Sequence, residues 1–163
     1  MTSSAIDDLT GQLAHLLPSR GLMVCTAESC TGGLIAAACT DRAGSSVWFE
    51  RGFVTYSNAS KTDLLGVPAD LIARHGAVSQ EVARAMATGA LARSGAQLSV
   101  SVTGVAGPGG GSAEKPVGLV HFGAARSGFE PVTESHIFPG DRDEIRRLTV
   151  ITALAMLAKL AER

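Results

Sequence analysis

The segment LMVCTAESCTGGLIAAACTDR, residues 22–42, constrains the fold more than any other part of the chain. LMVCTAE (22–28) is an apolar run of strand length, and TGGLIAAACTDR reads as a helix opened by small residues. A strand running through a tight turn into a helix is the building unit of layered α/β folds. The mouth of such a helix is also a common seat for a reactive group.

The rest of the chain continues the mixture. Ile6, Leu9, Leu13, Leu16 and Leu17 have helical spacing within residues 4–17, and Pro18 to Gly21 stops that helix. SVWFERGFVTYS (46–57) is aromatic and β-branched and reads as one strand bent at Gly52. Three helices are predicted next: ASKTDLLG ending at Gly66, PADLIARHG opened by Pro68 and ended by Gly76, and SQEVARAMATGALARSG capped by Ser79. AQLSVSVTG (96–104) alternates as a strand, while VGLVHFGAAR and VTESHIFP read as two strands joined by SGFEP. From Asp141 to Arg163 runs the clearest helix. Asp141 caps it, Glu144 reaches back in a capping box, and Ile145, Leu148, Ile151, Thr152, Ala155 and Leu160 mark its buried side. No repeat, linker or low-complexity tail intervenes, so one domain over residues 1–163 with α/β layering is expected.

Composition narrows the function classes. Hydrophobic residues make up 45% and aromatics only 4%, which points to a core of Ala, Val, Leu and Ile. The net charge of −1, with basic residues scattered, leaves no electrostatic footprint for nucleic acid. Cys25, Cys30 and Cys39 are odd in number and contain no CxxC pair, which fits neither a disulfide framework nor a zinc site. A reducing cytoplasm is the plainer setting. The N-terminus MTSSAIDDLTGQLA is acidic and lacks an apolar signal core, and Lys159 breaks the apolar run of the last helix. A soluble intracellular chain without membrane association is therefore expected.

Two places can carry chemistry. Ser29, Cys30 and Thr31 stand directly before Gly32 and Gly33. Read alone, Ser29 is ordinarily an N-cap. The sharper reading is a nucleophile whose oxyanion is held by backbone N–H groups of residues 30–33. Cys30 is intrinsically the better nucleophile, yet a thiol at such a turn is more often a small buried apolar group. A serine needs a base. His15, His75, His121 and His136 lie outside any glycine-rich turn and there is no G-x-S-x-G elbow, so no signature supports a Ser-His-Asp triad. The alternative base is one of three lysines, Lys61, Lys115 or Lys159. Lys61 follows Tyr56 by five residues at a strand–helix junction. Desolvated there it would accept a proton, although a surface lysine is its ordinary reading. The second place is TGVAGPGGGSAEKPVG, with Gly104, Gly107, Gly109, Gly110 and Gly111. It fits neither a Walker A loop nor G-x-G-x-x-G, but its N–H groups can cradle a phosphate with Lys115 adding charge. Acidic pairs with metal-ligand spacing are absent.

Taken together, TAESCTGGLIAA, GSSVWFERGFVTYSNASKTDLLGV, GAVSQEVARAMATGA and SVTGVAGPGGGSAEKPVGLV resemble the CinA C-terminal domain family over residues 5–160. The resemblance implies a three-layer α/β/α fold with a mixed sheet, oligomeric assembly, and hydrolysis of the carboxamide of nicotinamide mononucleotide to nicotinate mononucleotide and ammonia. It matches the family's catalytic serine, tyrosine and lysine to Ser29, Tyr56 and Lys61, and implies no metal or organic cofactor. On this reading Cys30, Thr31, Gly32 and Gly33 form the oxyanion turn. Thr103, Gly104, Gly107, Gly109, Gly110 and Lys115 hold the ribose phosphate, and Glu28 meets the pyridinium cation. Arg51 departs from the family pattern, which usually has glycine before Gly52. A catalytically silent nucleotide-sensing or partner-binding module, or an amidase for another small amide, stand as alternatives.

Overall fold

The computed structural model describes residues 4–163; Met1 to Ser3, the start of the acidic N-terminal stretch, lie outside the described residues. The elements follow in the order α1 (Ser4–Ser19), β1 (Val24–Glu28), α2 (Leu34–Thr40), β2 (Phe49–Val54), α3 (Asn58–Leu65), α4 (Ala69–His75), α5 (Gln80–Ala92), β3 (Leu98–Gly104), β4 (Leu119–Arg126), β5 (Val132–Ile137) and α6 (Arg142–Ala161). The strands form one sheet ordered β2-β1-β3-β4-β5. β1 is parallel to both its neighbours, and β4 is antiparallel to β3 and β5, so the sheet is mixed. Helices α1, α2 and α6 cover one face and α3, α4 and α5 the other, each over its own apolar core. This is the expected three-layer α/β/α arrangement. Among the described residues no helix is long and apolar enough to cross a membrane.

The topology fixes where a ligand can enter. β1 reaches β2 through α2 on one face, and β2 returns to β3 through α3–α5 on the other. The strand order thus reverses at β1, and a crevice opens at its carboxyl end.

The alternation in LSVSVTG has a meaning the sequence does not display. Leu98, Val100 and Val102 enter the core under α6. Ser99, Ser101 and Thr103 turn the other way and donate to the carbonyls of Ala87, Ala83 and Ala77 at 2.7, 2.6 and 2.9 Å. Both faces are buried, one apolar and one bonded through hydroxyls, as expected of a central strand. The small hydroxyl face lets α5 lie close to the sheet.

Gly89 marks the same tightness on the far side of α5. Alanine in mid-helix ordinarily stabilises by about 1 kcal/mol over glycine, but a Cβ here would run into the carbonyl oxygen of Leu65. Gly89→Ala is expected to lower stability instead, by roughly 1–3 kcal/mol, seen as a lower Tm in thermal unfolding. A raised Tm would mean that α3 yields to α5 without cost.

Three local expectations change. The stretch 46–57 is not one strand: a 3-10 turn over Ser45–Val47 precedes β2, and Trp48 is buried. The irregularity lies beside Glu50, which the register passes over between Val24↔Phe49 and Cys25↔Arg51. Gly52 serves a different need, because a Cβ there would sit 2.8 Å from Thr26 Oγ1. Arg51 is accommodated at the sheet edge by pairing with Glu50 and donating to the Arg93 carbonyl. On α6 the buried arc is wider than the stripe read from sequence. Ile145 and Leu160 are buried, but Leu148, Ile151 and Thr152 are half-buried and Ala155 is exposed. Thr149, Val150, Ala153, Leu154 and Leu157 fill the interior because α6 meets the sheet and α1 together. Asp141 caps α6 through the Glu144 N–H at 2.9 Å, while the Glu144 carboxylate pairs with Arg147 rather than reaching back.

Candidate active site

The crevice at the end of β1 is occupied by the turn that begins with Ser29. The Ser29 N–H donates to the Val102 carbonyl at 3.1 Å and the Thr55 N–H to the Glu28 carbonyl at 2.8 Å, which holds the start of the turn between the ends of β2 and β3. Gly32 closes it by donating to the Ser29 carbonyl at 3.1 Å. Gly32 and Gly33 hold φ of 58° and 106°, left-handed backbone that a side chain resists. Gly32's N–H is thus already used and Thr31 is fully buried. The N–H groups of Cys30 and Gly33 have no protein acceptor among the described residues.

Glu28 does not face a ligand. Its carboxylate is fully buried and accepts from Thr31 Oγ1 at 2.6 Å and from the N–H groups of Ile35 and Ala36, both at 2.9 Å. It satisfies free donors at the start of α2 and answers the helix dipole. The expected contact with a pyridinium cation is therefore overturned: the carboxylate is committed to the turn.

Lys61 is the decisive placement. It sits on α3, a helix started by Ser57, whose hydroxyl accepts from the Ser60 N–H. Its side chain points inward and is 1% exposed, so the surface reading is overturned. Nζ lies 3.1 Å from Ser29 Oγ, 2.8 Å from the Thr55 carbonyl and 3.3 Å from the Tyr56 carbonyl. Among the described residues no carboxylate pairs with it. Burial accordingly holds the Lys61 pKa below the ordinary lysine value. Tyr56 is 66% exposed and touches the pair through its carbonyl; its phenol makes no hydrogen bond among the described residues.

Burial pushes the Cys30 thiol up to about 11, so it is protonated at neutral pH. Cys25 and Cys39, also free and buried, are raised to about 11 and about 12 by the same cause. Among the described residues no histidine hydrogen-bonds Ser29 or Lys61; His121 stands opposite Thr103 on β4. No cluster of three His, Cys, Asp or Glu side chains is placed to hold a metal ion among them.

The glycine-rich loop leaves the end of β3 beside this turn. Thr103 donates to Ala77 just after α4, and Lys115 Nζ donates to the carbonyl of His75, its last residue, at 2.6 Å. Lys115 keeps two of its three donors. Gly107 and Gly110 have positive φ, Gly104 is crowded by Leu119 and Val120, and Gly109 faces open space. A cavity of about 450 Å³ between Pro108, Val117 and the start of α6 flanks the loop.

Two arginines of α6 were missed. Arg142 donates to the Gly107 carbonyl at 2.7 Å. Arg146, one turn on, donates through Nε to Cys30 and through Nη2 to Thr31 at 3.1 and 3.2 Å. RDEIRR looks like a mixed-charge surface run, but its i, i+4 spacing puts these two residues on one face, while Arg147 pairs with Glu144.

The chain is similar in sequence and fold to known proteins. The CinA C-terminal domain model matches residues 6–161. The chain is 51% identical over 157 residues to the nicotinamide-nucleotide amidohydrolase PncC of Escherichia coli (strain K12), covering 96% of this chain and 95% of that protein. It is 52% identical to a CinA-like protein of Mycolicibacterium vanbaalenii, covering 94% of this chain and 35% of that longer one. The crystal structure of the competence/damage inducible protein CihA from Agrobacterium tumefaciens superposes with a TM-score of 0.95 at 49% identity, over 98% of this chain and 97% of that one. A matched family model across nearly the whole chain, with half its residues identical to those of a relative of matching length, places the protein in the CinA C-terminal domain family.

Proposed function

We propose that the protein hydrolyses the carboxamide of nicotinamide mononucleotide, giving nicotinate mononucleotide and ammonia, with Ser29 as nucleophile and Lys61 as its base. The observation that carries this is the 3.1 Å approach of a buried, unpaired amine to the Ser29 hydroxyl. The amidohydrolase relative of matching length supports the choice of substrate. Uncharged Lys61 takes the Ser29 proton as Oγ bonds the carboxamide carbon. The N–H groups of Cys30 and Gly33 face the oxyanion, where one such donor is worth on the order of 3 kcal/mol. Lys61 then returns the proton to departing ammonia, and water releases the acyl group by the reverse path.

Lys61 acts directly, and the exposed ring of Tyr56 offers its face to the pyridinium at the rim, a cation–π contact. Gly107, Gly109, Gly110 and Lys115 receive the ribose phosphate, for which Lys115 has donors to spare, while the buried Thr103, whose hydroxyl is committed to Ala77, and the crowded Gly104 shape the start of the loop. The enzyme acts in the cytoplasm as a homo-oligomer; the exposed Val54 and Leu64 support the second assignment.

The test is to assay ammonia from purified protein given nicotinamide mononucleotide and, separately, free nicotinamide. Release from the nucleotide alone is expected. Nucleotide binding without ammonia from either would favour a sensing module.

A further inference from the structure

The geometry points to Arg146 as a positioning residue that shapes the oxyanion turn from α6; this inference rests on the proposed serine mechanism. Its guanidinium spans two consecutive carbonyls, Cys30 through Nε at 3.1 Å and Thr31 through Nη2 at 3.2 Å. Among the described residues it has no carboxylate partner, unlike its neighbour Arg147. A Cβ on Gly32 would lie 3.4 Å from Nη2, so the turn rests directly against the guanidinium.

Each peptide is a planar trans unit whose C=O and N–H point oppositely. One rigid fork on two carbonyls therefore fixes the two middle peptide planes of the four between Ser29 and Gly33, those carrying the Thr31 and Gly32 N–H groups, and so sets how the flanking Cys30 and Gly33 N–H groups are presented. An oxyanion site works only if N–H groups face the developing charge and carbonyl oxygens face away. Left free, the oxygens of Cys30 and Thr31 could swing toward the oxyanion and repel it. Arg146 holds them on the α6 side, and its charge polarises the Thr31–Gly32 peptide, whose N–H bonds the Ser29 carbonyl of the peptide that carries the Cys30 N–H. Gly32's bond to the Ser29 carbonyl closes the turn that Arg146 braces. The device is non-local: 116 positions separate Arg146 from Cys30.

A residue acting through the turn should affect the chemical step rather than substrate binding. Arg146→Ala is expected to lower kcat by about 10²-fold, the scale of a misplaced reacting geometry, with KM for nicotinamide mononucleotide nearly unchanged. Added guanidinium ion should restore part of the rate. Arg146→Lys, which keeps the charge but loses the fork, should fall between. A raised KM with kcat preserved would overturn the inference and make Arg146 a substrate contact. A loss of kcat that guanidinium does not restore, with a lowered Tm in both variants, would overturn it in favour of a purely structural role.

A fluorophosphonate probe separates this inference from the substrate assignment. Ser29 Oγ bonds phosphorus, fluoride leaves, and Lys61 takes the proton, so the same turn is read without any nucleotide. Slower labelling of Ser29 in Arg146→Ala than in the wild type is expected even if nicotinamide mononucleotide proves not to be the substrate. Equal labelling rates, or a wild type that is not labelled at all, would overturn the role of Arg146.

Discussion

Ser29→Ala is expected to stop ammonia release from nicotinamide mononucleotide, with kcat falling by roughly 10⁴-fold or more, while nucleotide binding survives. The hydroxyl is the only part of Ser29 that meets Lys61; the backbone bonds to Val102 and Gly32 that hold the turn remain in the alanine variant. Cys30→Ala should keep most of the activity. Its thiol is buried and raised to about 11, so almost none is thiolate at neutral pH, and it packs in the core under α6. Steady-state kinetics on the two variants, with nucleotide binding by calorimetry, checks the pair. The opposite pattern, with activity lost in Cys30→Ala and kept in Ser29→Ala, would move the nucleophile to the thiol.

Lys61→Met should lower the rate at neutral pH by about 10²–10⁴-fold, the usual contribution of a positioned base, and should also change the shape of the pH profile. In the wild type, protonated Lys61 cannot accept the Ser29 proton. The rate therefore rises with pH through the folded-state pKa of Lys61, which lies below the ordinary 10.5. That limb should vanish in Lys61→Met. Stability carries a linked sign. Above its lowered folded pKa, Lys61 is neutral in the folded chain and still protonated in the unfolded chain up to 10.5, so the unfolded state binds more protons. Wild-type stability relative to Lys61→Met must therefore grow as pH rises through that window. Thermal unfolding of both proteins across alkaline pH reads the difference. A gap that stays constant would mean Lys61 is not deprotonated on folding.

Much of the frame was legible in the sequence because its signals are local. The strand, turn and helix around Ser29, the Ser79 and Asp141 caps, and the glycine stops at Gly66 and Gly76 all stand where short-range chemistry puts them. What escaped depends on distant packing. Whether a lysine on a short helix faces water or Ser29 is decided by how α3 lies against α5 and the end of β2, which no local pattern encodes. In the sequence, Lys61 stands out through the scarcity of lysines, its place at a strand–helix junction and the family resemblance. Glu28 shows the converse. It stands next to Ser29 in the sequence, which does not place its carboxylate, and its oxygens are taken by a residue three positions on and by the start of α2. Arg146 joins a turn more than a hundred residues away, and the stripe misread on α6 reflects a helix covered on two sides instead of one. The alternation of β3 was visible, yet its meaning required knowing that α5 lies close enough for hydroxyls to reach its carbonyls.

The protonation of Lys61 can be watched directly. The chain has three lysines, so 15N-lysine labelling gives a side-chain spectrum with one resonance each for Lys61, Lys115 and Lys159, and the Lys61→Met variant identifies the first. An ammonium that loses its proton below the ordinary lysine value of 10.5, and whose signal is missing from Lys61→Met, is the predicted result. A Lys61 signal titrating at or above 10.5 would contradict it, and a serine beside a fully charged amine would have no base to take its proton.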